Sequence, residues 1–104
     1  MNRVFDVKCL RFKSYQKGSL LGFADFRIEN LGIDVFGCNV YQKDGRRWIN
    51  LPSKEFVNEN QEKKYSPIVK MIEPEKMKEF TKEANRAIDE VCKQNYDDED
   101  VFNF

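Results

Sequence analysis

The feature that most constrains this chain is a change of apolar period partway along it. In residues 4–51 apolar side chains recur at every second position, in four runs divided by turn signals. In residues 77–91 they recur at every third or fourth. Period two is the signature of a strand with one buried face, and the longer period that of an amphipathic helix. In residues 4–12, Phe5, Val7 and Cys9 share a face against Asp6 and Lys8; the parity then switches, placing Leu10 and Phe12 against Arg11 and Lys13. A switch of parity predicts a bulge or a twist. Residues 14–18 read as a polar turn. Residues 20–29 form a second strand, with Leu20, Ala24, Phe26 and Ile28 opposite Asp25, Arg27 and Glu29. Asn30-Leu31-Gly32 turns the chain into a third strand, residues 33–41, rich in β-branched and aromatic residues. Asp44-Gly45 is a strong hairpin signal, and a fourth strand, residues 46–51, stops at Pro52.

Beyond Pro52 the pattern weakens. Residues 53–64 are polar and charged and read as an exposed loop, and residues 65–69 as a short fifth strand that Pro67 confines to an edge. Pro74, between Glu73 and Glu75, suits the first turn of a helix. Met77, Phe80, Ala84, Ala87, Ile88 and Val91 then define one apolar face, with Lys78, Lys82, Glu83, Arg86 and Asp89 on the other and an end near Gln94. The expected fold is α+β: a twisted antiparallel sheet of four to five strands followed by one C-terminal helix, β-β-β-β-(β)-α. Residues 1–96 make a single domain, and residues 97–104 an acidic tail. One helix covers only one face of such a sheet. A chain of 104 residues with so little cover is expected to form a homodimer that buries the remaining apolar stripe.

Composition removes several classes of chemistry. There is no histidine, so histidine bases, ligands and triads are excluded. Cys9, Cys38 and Cys92 are odd in number and form no C-x-x-C pair; they read as buried, reduced thiols of a cytoplasmic protein, and no metal site or cofactor is expected. The N-terminal residues lack an apolar leader region, and no run reaches the ~18 apolar residues of a spanning helix. Phosphate-binding glycine motifs are missing. Ser53-Lys54 is the nearest nucleophile–base pair, in a charged loop with no third orienting group. An enzyme is not expected.

Charge gives the positive lead. The 18 basic and 18 acidic side chains cancel, but not locally: residues 1–54 carry ten basic and five acidic groups, and residues 97–104 carry four acids and no base. Arg46, Trp48 and Asn50 share one strand face while Arg47, Ile49 and Leu51 share the other; Lys43 adjoins them in the turn, and Arg27 lies on the polar face of the second strand. Cations interleaved with aromatics on a sheet suit single-stranded nucleic acid: the cations neutralise phosphates, and each base stacked on a ring contributes ~1–3 kcal/mol. A second reading of the same residues makes Trp48 a core residue and the arginines ordinary strand-edge charges.

The tail joins Asp97, Asp98, Glu99 and Asp100 to Phe102 and Phe104. A terminal Phe offers a ring and a carboxylate together, a handle for a partner pocket lined by Lys or Arg. The same acids can occupy the chain's own basic face and compete with DNA, an effect that salt weakens. This tail resembles the C-terminal tip of bacterial and bacteriophage single-stranded-DNA-binding proteins, which recruits replication and repair proteins; Asn103 stands where the common bacterial version has Pro.

The body resembles another family. Ile33-Asp-Val-Phe-Gly-Cys-Asn-Val-Tyr, Gly45-Arg-Arg-Trp-Ile-Asn-Leu-Pro-Ser-Lys54, and Tyr65-Ser-Pro-Ile before a helix are similar to SpoVG, the small bacterial septation and regulatory proteins. That resemblance spans roughly residues 4–91 and implies a β-rich dimer with a C-terminal helix that binds nucleic acid. It also implies that Lys54 and nearby basic residues, Lys63 and Lys64, face the nucleic acid. The element order is similar, too, to the positive-cofactor-type single-strand binders. Three functions stay open: a single-stranded-DNA-binding protein of phage or bacterial origin, a SpoVG-type regulator binding duplex DNA or RNA, and a non-enzymatic protein–protein adaptor.

Overall fold

The computed structural model describes the backbone of residues 4–97 and the side chains of residues 4–93. Four strands, β1 (Val7–Lys17), β2 (Leu20–Ile28), β3 (Ile33–Lys43) and β4 (Arg46–Asn50), form an antiparallel sheet in the order β1-β2-β3-β4. Each connection is a hairpin between neighbours. The β3–β4 turn shows why Asp-Gly signals a hairpin: Asp44 and Gly45 both have positive φ, 54° and 78°. That is the two-residue turn whose twist matches the strands. It sets the register Lys43↔Arg46, Tyr41↔Trp48, Val40↔Ile49.

The parity switch in β1 is a bulge. Cys9 pairs with Phe26 and Arg11 with Asp25, leaving Leu10 as the extra residue. Phe12 returns to the core side opposite the buried Ala24, whereas Leu10, expected on the same face, stays exposed. β1 also runs further than its polarity suggests. Residues 14–17 are strand rather than turn, pairing with β2 until Lys17 meets Leu20. Gly22 makes this possible. A Cβ there would lie 2.3 Å from the Lys13 carbonyl oxygen, so the two strands approach more closely than any side chain permits.

Helix α1 (Pro74–Asp97) packs on β1 and β4. It begins at Pro74, whose missing N–H costs nothing in a first turn, and continues past the expected end near Gln94. Phe80, Ala84, Ala87 and Ile88 are buried and meet Phe5, Val7, Phe26, Ile28, Val35, Val40 and Ile49 in one core. Phe80 sets its ring edge-to-face against Phe5 (6.4 Å) and Phe26 (5.7 Å). One residue departs from the helix pattern. Glu83 was expected in solvent but is only 6% exposed. Arg86 satisfies it with an Nε hydrogen bond of 2.8 Å and also pairs with Glu90, since a buried carboxylate needs a partner of opposite charge.

The segment expected to be a loop is instead a second sheet. β5 (Ser53–Val57) pairs antiparallel with β6 (Lys63–Pro67), separately from the main sheet. Its turn is closed by Asn58, whose side-chain oxygen accepts the N–H groups of Asn60 (2.9 Å) and Glu62 (3.0 Å). Such Asx geometry lets a wholly polar run fold back tightly. β6 is thus two residues earlier than the expected fifth strand and adds to a hairpin, not to the main sheet. Every residue of β5 and β6 is exposed.

Candidate nucleic-acid interface

The helix occupies one face of the four-stranded sheet and leaves the other uncovered. Register places Lys8, Arg11, Lys13 and Tyr15 of β1 on that open face, with Phe23, Asp25 and Arg27 of β2. Asp34, Asn39, Tyr41 and Lys43 of β3 and Arg46, Trp48 and Asn50 of β4 complete it. Two aromatic platforms result. Tyr41 and Trp48 stack across β3–β4 with centroids 5.6 Å apart and planes at 13°. Tyr15 and Phe23 lie across β1–β2, also 5.6 Å apart. Phe23 and Tyr41 are on adjacent strands and two residues apart along them, a backbone separation of about 8 Å.

The cations around these rings differ in how free they are. Among the described residues, no carboxylate pairs with Arg11, Lys13, Lys43 or Arg46. Lys8 pairs with Glu29 (3.3 Å). Arg27 grips Asp34 through two hydrogen bonds, Nε to Oδ1 at 2.7 Å and Nη2 to Oδ2 at 3.0 Å. That bidentate bond holds the Asp34 carboxyl below the ordinary aspartate range and raises Arg27. Asp25 accepts the Gly37 N–H at 2.8 Å where β3 bulges. Among the described residues the face thus carries four cations with no carboxylate partner, mostly close to the aromatic rings.

Of the residues singled out from sequence, the structure brings together Lys43, Arg46 and Trp48. Trp48 is partly exposed and stacked on Tyr41 rather than sunk in the core. Arg27 shares the face but is committed to Asp34. Arg47 is on the opposite face and joins strand to helix. Its Nε donates to Asn85 Oδ1 (2.9 Å), and its Nη2 to the Asn85 carbonyl (2.9 Å) and Asp89 Oδ1 (2.7 Å); the Asn85 amide donates back to the Arg47 carbonyl (3.1 Å). Lys54, Lys63 and Lys64 sit on the separate hairpin, where Lys54 and Lys64 flank Phe56 on one side and Lys63 lies on the other with Val57 and Tyr65. Asp97 is the last described residue of the helix; Asp98, Glu99, Asp100, Phe102 and Phe104 lie outside the described residues. Sequence reasoning did not single out Arg11, Lys13, Tyr15 and Tyr41 as site residues. The signal for Arg11 and Lys13 was present in the parity switch of β1, which turns both toward the open face.

Two of the three thiols, Cys9 and Cys38, are placed for inertness. Burial pushes Cys38 up to about 12 and Cys9 to about 11, so both stay protonated at neutral pH. Cys92, expected to be buried, is exposed, and its pKa is also raised, by desolvation. Among the described residues no group of three or more cysteine or carboxylate side chains is arranged to hold a metal, and no helix is long and apolar enough to cross a membrane. Comparison with protein-family models, curated proteins and solved structures finds no match to this chain.

Proposed function

We propose that this chain is a single-stranded-DNA-binding protein that supports replication, recombination or repair through the open face of its sheet. The observation that carries this reading is the stacked Tyr41–Trp48 pair on an uncovered face, beside Lys43 and Arg46, which no described carboxylate pairs. Ring faces stack on any base, and cations along the same face neutralise successive phosphates, so the pattern favours binding with little sequence preference. The second platform, Tyr15 and Phe23 with Lys13 opposite Phe23, extends the track across the sheet. The acidic, Phe-ended tail supports a further part of the proposal: it recruits replication or repair proteins and competes with DNA for the same face.

A SpoVG-type regulator of duplex DNA or RNA is the second reading, favoured by the projecting hairpin with Lys54, Lys63 and Lys64. A two-stranded ribbon of this kind fits the major groove of a duplex. Anisotropy titrations of labelled oligo-dT, a duplex of mixed sequence and a single-stranded RNA, run side by side at low salt, separate the readings. Tightest binding to oligo-dT, lost on Trp48→Ala, supports the first. Tightest binding to duplex, lost on replacing the three hairpin lysines, supports the second. No binding to any of the three leaves the adaptor reading. Removing residues 97–104 tightens oligo-dT binding at low salt if the tail competes; unchanged affinity refutes competition.

A further inference from the structure

The β5–β6 hairpin makes sense only as half of something larger. A two-stranded hairpin in water is marginal, and three or more strands or a covering helix are needed for stability. Here all ten strand residues are exposed, among them Phe56, Val57 and Tyr65. In and just after the hairpin, Phe56, Val57, Tyr65, Ile68, Val69 and Ile72 are 36–88% exposed, the largest such group among the described residues.

The open edge is specified by the ladder. Asn58 N–H bonds the Glu62 carbonyl and Ile68 N–H bonds the Pro52 carbonyl, both at 3.0 Å. Ladder bonds fall on alternate pairs, so Phe56–Lys64 and Lys54–Ser66 are the bonded rungs between them. The N–H and C=O groups of Tyr65 and Lys63 therefore point out of the hairpin, along the free edge of β6.

We propose that a second copy of this chain pairs with this edge, β6 against β6 about a two-fold axis centred on Tyr65, to give a four-stranded sheet β5-β6-β6-β5. Charge selects β6 over β5. Centred on Tyr65, Lys64 lies opposite the partner's Ser66 and Lys63 opposite the partner's Pro67, and the two tyrosines form an aromatic cross-strand pair. Centred on Glu55, a β5 pairing sets two carboxylates face to face, which is unfavourable. Pro67 is tolerated, since its missing N–H falls on the outer side and about four interchain hydrogen bonds remain. The interface is isologous, as a two-fold dimer requires.

The test uses the full chain. Light scattering at micromolar concentration reads twice the 12.4 kDa chain mass; a monomer at those concentrations overturns the proposal. In a Cys92→Ser background, Tyr65→Cys places two thiols within disulfide reach across the axis, and mild oxidation converts most of the protein to a covalent dimer. Glu55→Cys in the same background cross-links at least tenfold less. Equal cross-linking from both sites, or faster cross-linking from Glu55→Cys, refutes the β6 edge. Neither readout requires DNA, so failure of the dimer and failure of single-strand binding are distinguished.

Discussion

Arg46 and Arg47 are neighbours in sequence with opposite tasks, and replacing each by Ala separates binding from stability. Arg47 is largely sequestered, its side chain 19% exposed, and gives two hydrogen bonds to Asn85 and one to Asp89. The bond to Asp89, which is 68% exposed, is screened and contributes little. The two bonds to Asn85 are part-buried and come from a charged donor. Losing them leaves Asn85 with unmet acceptors at the strand–helix junction, at a cost of about 2–3 kcal/mol. For a domain of this length that lowers Tm by about 10–20 °C. Arg46 is exposed and no described carboxylate pairs with it, so its loss changes stability by no more than ~0.5 kcal/mol. Its effect falls on binding: one phosphate contact fewer reduces the slope of log K against log salt by about 0.7 for a single strand. Thermal unfolding by circular dichroism measures the first, and anisotropy of labelled oligo-dT at several salt concentrations measures the second. Arg47→Ala with an unchanged Tm, or Arg46→Ala with an unchanged salt slope, would refute the division of labour.

Three further substitutions probe the scaffold. Phe80→Ala removes the ring that meets Phe5 and Phe26 in the core and costs about 3–5 kcal/mol in denaturant unfolding. Gly22→Ala pushes a methyl against the Lys13 carbonyl and destabilises by about 1–3 kcal/mol; hydrogen exchange should rise first in β1 and β2. Asp34→Asn removes the partner of Arg27. Because the Asp34 pKa is depressed in the folded state, its contribution is present above the unfolded aspartate pKa and lost as pH falls through the folded value. Wild type and Asp34→Asn should therefore differ in stability at neutral pH and converge in acid, below about pH 4. A constant gap across that range would contradict the ion pair.

Much of the main sheet was legible because each of its strands buries one face and alternation records that. The Asp44-Gly45 turn and Pro74 are local backbone requirements, visible in a few residues. The second hairpin was not legible, for it buries neither face and so leaves no alternation; its turn depends on one Asn side chain rather than on a Gly pair. Residues 14–17 are strand because Gly22 admits a close neighbour, a cause that sits on the other strand. Glu83 was misplaced because its burial depends on Arg86 three residues on. The site was half legible. Trp48, Arg46 and Lys43 follow from parity on one strand and its turn, but Tyr41, Phe23, Tyr15, Lys13 and Arg11 join them only through register across four strands. Arg47 has the composition of a binding residue and the parity of a core-side one, and parity decided.

The central claim, that the open face holds a single strand on its rings, is tested most directly by the fluorescence of Trp48, the only tryptophan. Titrating the protein with oligo-dT at low salt should quench that emission to saturation, and added salt should restore it in proportion to the phosphates released. An emission that stays constant while the oligonucleotide binds elsewhere, or no binding at all, would contradict the account.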